Sequence, residues 1–347
     1  VECLASFFSG YHLAPFFIDR AQEAGIAPTL CTYHKTVMGM METGVLHAPR
    51  LAVTTSCACD GNLSTFRQLG QRMDVPMVLL DVPYDSDDAS VDYLADQLHE
   101  LTRTLEELTG VPFDESRLSH LLEVERETNA LAWEFMRLQA EHFYPAEFIH
   151  HLFFVLAMQL SAGSEELRDL LRFMVDDIKR APRLQGDKIL WVHLMPYYQQ
   201  SLKAAFDYSP AHQIVAVDMA FCTMSDLANA DPFRALAKKL IGNAMNGPYE
   251  RKLALVGRLL DATHADGVIH FCHWGCKQSA GGSALLREHL HEAGMPLLQL
   301  DGDGIDERNS HDGQIKTRLE AFFEVLEAKR AESDAQGGGV EAKDGAQ

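Results

Sequence analysis

The sequence predicts an α/β fold in which two doubly wound parallel-sheet domains are separated by a helical insert. Short apolar segments of strand length alternate with amphipathic helical segments in residues 1–90 and again in residues 187–330, a pattern typical of parallel sheets with helical crossovers. Residues 91–186 instead show apolar residues at helical spacing and almost no strand pattern. Residues 331–347 are rich in glycine, alanine and charge, and we predict that this tail is disordered.

In the first domain, apolar runs bounded by turn residues predict strands at residues 2–8, 26–31, 51–55 and 76–81. Two amphipathic segments predict helices at residues 12–24 and 63–72. Gly25 ends the first of these helices, and the turn at Asp60-Gly61 precedes the second.

The insert is predicted to contain helices at residues 92–108, 117–141 and 165–179. In the last domain, apolar runs predict strands at residues 188–194, 213–221, 267–271 and 296–301. The segments between and after them predict helices at residues 197–207, 250–263, 283–293 and 317–328.

The chain is strongly acidic, with a formal net charge of -20 over 347 residues. This charge argues against general nucleic-acid binding, which needs a basic surface. An anionic cofactor would need a local basic pocket, for which the candidates are Lys35, Lys277, Arg308 and Arg318.

The sequence shows no pattern of a targeting or membrane segment. The apolar stretch at residues 148–160 is too short to span a bilayer, and it contains His150, His151 and Gln159. The N-terminal residues lack a basic segment followed by an apolar one. We therefore expect a cytoplasmic protein without a membrane partner.

The chain has seven cysteines: Cys3, Cys31, Cys57, Cys59, Cys222, Cys272 and Cys276. An odd number without a secretion signal argues against a disulfide framework. All but Cys3 follow predicted strands, and ligands of open parallel sheets bind beyond the carboxyl ends of the strands. Cys3 lies inside a predicted strand and is expected to be a core residue.

Thiolates from separate strand ends can converge on one metal centre, either an iron–sulfur cluster or zinc. The spacing matches neither a ferredoxin run of cysteines nor a zinc-ribbon pair. From the residues alone, a metal cluster, a reactive thiol and inert packing all stay open.

Three further features lie close to these cysteines. Small residues in 277–282 lead into a helix, so that backbone N–H groups could approach a phosphate or a cluster sulfide; a plain helix entry is the alternative. The acidic, glycine-rich loop at residues 301–309 is either a surface turn or a loop that closes over the site. His34, His270 and His273 are the histidines nearest in sequence to the cysteines.

Several segments resemble the 2-hydroxyacyl-CoA dehydratase and benzoyl-CoA reductase family, in its iron–sulfur D-component subunits. Residues 31–35 (Cys-Thr-Tyr-His-Lys), 54–61 (Thr-Thr-Ser-Cys-Ala-Cys-Asp-Gly) and 273–278 (His-Trp-Gly-Cys-Lys-Gln) are similar to its three cysteine segments. Residues 300–306, 313–314 and 317–322 are similar to its C-terminal signature. The resemblance covers both α/β domains.

The resemblance implies that three cysteines of each subunit hold a [4Fe–4S] cluster, here Cys31, Cys59 and Cys276. Cys57 is the rival for the second place and Cys272 for the third. In the segment that follows the third cysteine, Lys277 and Gln278 are the expected cofactor-binding residues. The sequence leaves the catalytic residues unknown.

The resemblance also implies partners and a reaction. The partners are a related second subunit, or a second copy of the chain, and an ATP-hydrolysing iron–sulfur activator. A low-potential electron would pass to the thioester of an acyl-CoA substrate, and water would leave through a ketyl radical. The alternatives are a benzoyl-CoA reductase-like or other ATP-dependent reductase subunit, a non-catalytic iron–sulfur electron-relay subunit, and a zinc-binding structural protein.

Overall fold

The structure, a computed structural model, describes residues 2–224 and 231–337. The described chain is a mixed α/β protein with two parallel sheets, so the predicted α/β class is confirmed. The division of the chain at residues 90 and 186 stays a prediction.

The strands β1 to β6 are, in chain order, Ala52–Thr55, Met77–Leu80, Asp187–Val192, His212–Val217, Gly267–His273 and Leu297–Gly302. The helices α1 to α13 are Glu2–Gly10, Ala14–Glu23, Thr32–Glu42, Asp60–Met73, Asp88–Thr109, Glu115–Gln139, Phe148–Leu160, Glu165–Ile178, Gln200–Phe206, Pro232–Ile241, Glu250–Thr263, Ser283–Glu292 and Asp312–Gly337. None of the helices in the described part of the chain is long and apolar enough to cross a membrane.

The two sheets are separate and each is wholly parallel. Strands β1 and β2 pair from Ala52–Met77 to Thr55–Leu80. The larger sheet has the order β4-β3-β5-β6. Because the chain runs from β3 to β4 on one side and returns to β5 on the other, the order reverses between β3 and β5. Such a reversal opens a crevice at the carboxyl ends of the two strands, where ligands of open α/β sheets bind.

The larger sheet forms the centre of the main hydrophobic core. All seven residues of β5 are buried, and so are residues 189–192 of β3. Burial on both faces explains why these strands read as continuous apolar runs instead of alternating patterns.

The smaller sheet packs against helices from two distant parts of the chain. Leu80 of β2 lies in one core cluster with Leu94 of α5 and with Phe233 and Ala237 of α10. Helix α10 comes from the last third of the sequence, so the first sheet is covered by a helix that follows the second sheet's strand β4.

Two predicted strands are wrong. Residues 2–8 belong to helix α1, which buries Ala5, Ser6 and Ser9 at helical spacing while Phe7 is exposed. The Tyr197 hydroxyl donates to the Ser6 carbonyl and so anchors α1 to the C-terminal part of the molecule.

Residues 26–31 form no strand either. Pro28 has no N–H to donate to a sheet, and the Leu30 N–H instead closes a turn onto the Ala27 carbonyl at 3.0 Å. The segment therefore leads directly into α3, a helix that the sequence pattern did not predict.

The other predicted strands and helices occur in the structure with shifted ends. The last helix continues to Gly337 and so includes the first seven residues of the predicted tail. Residues 338–347, the remainder of that tail, lie outside the described residues.

Candidate metal centre

Three cysteines lie directly before helical segments. Cys31 precedes α3, Cys59 precedes α4, and Cys276 precedes the π-helical turn Lys277–Gly281, which leads into α12. The first N–H groups of a helix have no partner within it and carry partial positive charge, which favours a thiolate over a thiol. Each of the three cysteines therefore lies beside backbone N–H groups that favour the thiolate, the form in which sulfur binds a metal.

The three thiols open into one crevice with two adjoining lobes of about 350 Å³ each. Both lobes have seven wall residues in common: Cys31, His34, Ala58, Cys59, Met245, Cys276 and Gln278. The lobe that is here named the outer lobe, after the exposed Lys277 in its wall, adds Asp60, Tyr84, Asn246 and Lys277, among others. The lobe that is here named the inner lobe, after the buried His193 in its wall, adds Asn62, Gln159, His193, Leu194, Met219, Cys222, Thr223 and Asn243 together with Tyr33. A larger cavity of about 510 Å³ lies apart, along α9 and α13, and its described walls contain no cysteine.

The crevice disfavours free thiolates unless a cation is present. Burial, together with charge repulsion by the nearby thiols of Cys276 and Cys59, raises the pKa of Cys31 to about 12. Burial also raises the pKa of Cys59. These sulfurs lie close enough to repel one another when ionised, so a positively charged centre between them would relieve the repulsion.

Each of the three thiols has an imidazole at hydrogen-bond distance. The Cys31 Sγ lies 3.2 Å from the His273 Nε2, and the Cys59 Sγ lies 3.4 Å from the His34 Nε2. The Cys276 Sγ lies 3.2 Å from the His193 Nε2.

All three rings are neutral near pH 7. Burial lowers the pKa of His34 and of His273 to about 4 in each case. Burial, together with the charge of Lys252, lowers the pKa of His193 well below its usual value.

A buried ion pair lies behind Cys276. The Lys252 Nζ is 3.3 Å from the Asp218 Oδ2 and 3.2 Å from the His193 Nδ1, and both partners of the ion pair are 1% exposed. The other carboxylate oxygen of Asp218 accepts a hydrogen bond from the backbone N–H of His193 at 2.6 Å. His193 itself has a φ of 78°, a left-handed conformation that is costly for a residue with a Cβ. The ion pair thus holds a strained residue against the third thiol.

The loop at residues 301–309 is largely buried, so it is not a surface turn. The Asp303 carboxylate is 2% exposed, and one of its oxygens accepts the Thr32 hydroxyl at 2.6 Å and the Ile305 N–H at 2.9 Å. The backbone N–H of Gly304, the residue after Asp303, donates to the His273 Nδ1 at 2.9 Å. The loop therefore closes the site from behind, on the side of Cys31.

The residues expected to bind a cofactor have different surroundings. Gln278 lies in the walls of both lobes, where its Nε2 donates to the carbonyls of Ala58 and Met245 at 3.0 and 2.9 Å. Lys277 lies at the outer lobe, where its ammonium is exposed and paired with Asp60.

The candidate cations do not form one basic pocket. The buried Lys35 Nζ donates to the Pro28 carbonyl at 2.8 Å. Arg308 pairs with Asp306 at 2.8 Å and with Asp19 at 3.0 Å, and Arg318 reaches the Gln299 carbonyl. Each cation thus has its own partner in a different part of the fold.

The remaining cysteines lie elsewhere or play a minor part in the walls. Cys57 is buried in the core of the smaller sheet, and Cys272 is buried in β5; neither lines the two lobes in the described structure. Cys222 lies in the inner lobe and donates to the Met219 carbonyl at 3.2 Å. Cys3 lies partly exposed on α1, which differs from the core position expected for it.

Sequence reasoning missed His193, Lys252 and Asp218. Lys252 lies on the apolar face of α11 with Leu255 and Leu259, and a lysine at such a position is itself a signal of a buried partner. Asp218 interrupts the apolar run of residues 214–222 in the same way. No local pattern indicated His193, because its partners come from distant segments.

Gly275 allows the third cysteine segment to approach the first. It has a φ of 77°, and a Cβ at this position would lie 3.1 Å from both the Cα and the N of Cys31. We expect Gly275→Ala to cost about 1–2 kcal/mol of stability for the left-handed conformation alone. We also expect it to displace Cys31, so that this thiol reacts several-fold faster with an alkylating reagent, as measured by mass spectrometry.

Gly294 provides the matched control for this substitution. Its φ is 62°, but a Cβ there would meet nothing within 4 Å. Gly294→Ala should therefore lose comparable stability while Cys31 keeps its reactivity. Equal Cys31 reactivity in the two variants would contradict the close approach of the two segments.

His270 should make the free energy of unfolding depend on pH. The ring is buried in β5, and burial, aided by Lys252, lowers its pKa from 6.5 to about 4 although Asp218 and Asp301 oppose the shift. As the pH falls below 6.5, His270 becomes protonated in the unfolded chain but stays neutral in the folded chain, so the free energy of unfolding decreases. Between about pH 8 and about pH 5, this one group should remove about 2 kcal/mol. In urea unfolding, the free energy of unfolding of His270→Leu should change less with pH than that of the parent protein, by this amount. An identical pH dependence in both proteins would contradict the assigned effect of His270.

The family comparisons cover nearly the whole chain. Residues 4–326 match the family model "2-hydroxyglutaryl-CoA dehydratase, D-component". The chain is 21% identical over 336 residues to the (R)-phenyllactyl-CoA dehydratase alpha subunit of Clostridium sporogenes, a match that covers 90% of this chain and 80% of that subunit. It is 21% identical over 332 residues to the (R)-2-hydroxyisocaproyl-CoA dehydratase alpha subunit of Clostridioides difficile, with 89% and 80% covered.

A further relative carries out a different named reaction. The chain is 23% identical over 346 residues to one of the subunits of benzoyl-CoA reductase from Thauera aromatica, a match that covers 90% of this chain and 80% of that protein. Because the family model spans nearly the whole sequence, the chain belongs to the 2-hydroxyglutaryl-CoA dehydratase D-component family and is a component of a lyase-type enzyme.

Proposed function

We propose that the chain is the [4Fe–4S] subunit of a 2-hydroxyacyl-CoA dehydratase-like enzyme, with Cys31, Cys59 and Cys276 as the cluster ligands. The observation that carries this proposal is the opening of these three thiols, each at the start of a helical segment, into one crevice. The family membership and the dehydratase names of the relatives support the same reaction class.

The proposal rests on the chemistry of the donors, because iron–sulfur clusters take cysteine thiolate ligands and three cysteines line the same crevice. In the described residues, no group of three or more His, Cys, Asp or Glu side chains is close enough together to hold a single metal ion.

When held by Cys31, Cys59 and Cys276, the cluster would lend one low-potential electron to the thioester carbonyl of an acyl-CoA, so that the 2-hydroxyl group could leave, take up a proton and depart as water before the electron is returned. The chain's own residues enclose this chemistry. The inner lobe presents the neutral amides of Asn62, Gln159 and Asn243, which can orient a carbonyl and a hydroxyl group. Leu194 and Met219 add apolar wall to the same lobe.

The enzyme would need two partners. Four relatives are named alpha subunits of dehydratases, which supports the presence of a second, related subunit next to this chain. The electron would come from a separate ATP-hydrolysing iron–sulfur activator. We place the assembly in the cytoplasm, where such a reducing activator works.

The test is a chemical measurement on protein kept free of oxygen throughout. We expect about four irons and about four acid-labile sulfides per chain, and after reduction an electron paramagnetic resonance signal of a [4Fe–4S] cluster. Protein that holds zinc, or no metal, under these conditions would remove the chemical basis of the proposal.

One observation favours a second function, that of an electron-relay subunit without a substrate of its own. Among the described residues that line the two lobes, Lys277 is the one lysine or arginine, and it is paired with Asp60. The phosphates of coenzyme A would find no free cation there. Calorimetric titration with an acyl-CoA separates the two functions, since binding to the isolated chain supports the catalytic subunit and binding only after a partner is added supports the relay.

A further inference from the structure

The three imidazoles beside the thiols share one arrangement. In each of His34, His193 and His273, the Nε2 faces a cysteine sulfur at 3.2–3.4 Å. In each, the Nδ1 points away from the crevice to a second group at hydrogen-bond distance. The identity of that second group decides which ring nitrogen carries the proton.

For two of the rings, the second group can only donate. The His273 Nδ1 lies 2.9 Å from the backbone N–H of Gly304. The His193 Nδ1 lies 3.2 Å from the Lys252 ammonium, which is charged because it pairs with Asp218. An amide N–H and an ammonium have no lone pair to offer, so each Nδ1 must be the acceptor. The proton of each neutral ring is then on the Nε2, directed at the sulfur.

The third ring completes the pattern. The His34 Nδ1 lies 2.9 Å from the Thr65 hydroxyl, which can donate to it. Gly61 allows His34 its position, because a Cβ on Gly61 would lie 2.6 Å from the His34 Nε2. Three sulfurs from three segments thus face three ring Nε2 atoms, and the Nδ1 of each ring has a partner that is outside the crevice.

We propose that His34, His193 and His273 are positioning residues that donate an Nε2–H hydrogen bond to Cys59, Cys276 and Cys31, with Thr65, Lys252 and the Gly304 N–H fixing their tautomers. This role rests on the proposed cluster for its purpose. Hydrogen bonds to ligating sulfurs offset negative charge at the centre and raise its reduction potential. The three rings thereby set how easily the centre accepts an electron.

The tautomers can be read without the metal. In metal-free protein with ¹⁵N-labelled histidine rings, a long-range ¹H–¹⁵N spectrum distinguishes a protonated Nε2 from a protonated Nδ1. Signals are assigned with His34→Gln, His193→Gln and His273→Gln. We expect all three rings in the neutral Nε2–H form. A protonated Nδ1 on His193 or His273 would overturn the proposal.

Thr65→Val tests the third ring with a side chain of nearly the same shape. It should release the His34 tautomer so that a protonated Nδ1 is observed, while the His193 and His273 signals stay unchanged. Thr65→Ser, which keeps the hydroxyl, should restore the parent spectrum. An unchanged His34 tautomer in Thr65→Val would contradict the assigned role of this hydroxyl.

The second measurement uses the metal-loaded protein. We expect the midpoint potential, followed by electron paramagnetic resonance, to be lower in Thr65→Val than in the parent protein and to return in Thr65→Ser. Equal potentials in all three proteins would overturn the proposed effect on the cluster. If the chain binds no iron, the proposed function fails, whereas the tautomer spectrum still decides whether the rings donate to the thiols.

Discussion

Replacing Cys31, Cys59 or Cys276 with alanine is expected to remove most of the iron and acid-labile sulfide from protein prepared without oxygen. A cluster held by three thiolates that loses one of them keeps only two attachment points on the chain. Metal and sulfide analysis of each single variant, beside the parent protein, measures this effect.

Four further cysteines provide controls. Cys3→Ala should retain all of the iron, because Cys3 lies on α1 and does not line the crevice lobes. Cys57→Ala and Cys272→Ala distinguish the rival ligands, and Cys222→Ala tests a wall residue that has its own carbonyl partner. Full retention of iron in all three ligand variants would disprove the ligand assignment. Loss of iron in Cys57→Ala, with iron retained in Cys59→Ala, would make Cys57 the second ligand in place of Cys59.

Lys252→Met should destabilise the protein by about 3–5 kcal/mol. The substitution leaves the Asp218 carboxylate buried without its positive partner, and removal of one member of a buried ion pair has a cost of this size. The His193 Nδ1 also loses its donor. Urea unfolding of the parent and the variant, followed by circular dichroism, measures the change in the free energy of unfolding.

Two comparisons make this result specific. Lys316 pairs with Glu320 at 3.8 Å on the surface of α13, and Lys316→Met should have a far smaller effect because solvent screens that pair. The double variant Lys252→Met/Asp218→Asn removes the unpaired charge, so it should recover part of the lost stability. A cost below about 1 kcal/mol for Lys252→Met would show that the pair is not buried as the structure places it.

The strands of the larger sheet were predictable because of their burial. Residues 189–192 and 267–273 are buried on both faces, which favours mainly apolar runs of strand length. Cys59 and Cys276 were predictable in the same way, since each stands between a strand and a helical segment, whereas Cys31 follows a segment that forms no strand. Their service as ligands stays a prediction until iron is measured.

The errors have tertiary causes. Residues 2–8 contain enough apolar side chains for a strand, and what makes them a helix is the fit of Ala5, Ser6 and Ser9 against the C-terminal part of the molecule, including the contact with Tyr197. Such a contact joins residues 191 positions apart, so no local window contains it.

The imidazoles show the same limit within the site. His34 and His273 were noticed because they are near cysteines in sequence, yet each contacts the cysteine of another segment. His193 reaches Cys276 across 83 residues, and it had no sequence neighbour to reveal it. Contacts of this kind follow from the reversal of strand order between β3 and β5, which a strand prediction does not include.

The wide separation of the site's parts along the chain has a consequence for its biosynthesis. The imidazole that faces Cys31 follows it by 242 residues. At the usual speed of translation, roughly 10–50 s pass between the synthesis of the two. During that time the ribosome carries a chain with two of the three thiols and neither Gly275 nor Cys276. The three thiols of the proposed centre can therefore come together only after residue 276 has been made, late in the synthesis of the chain.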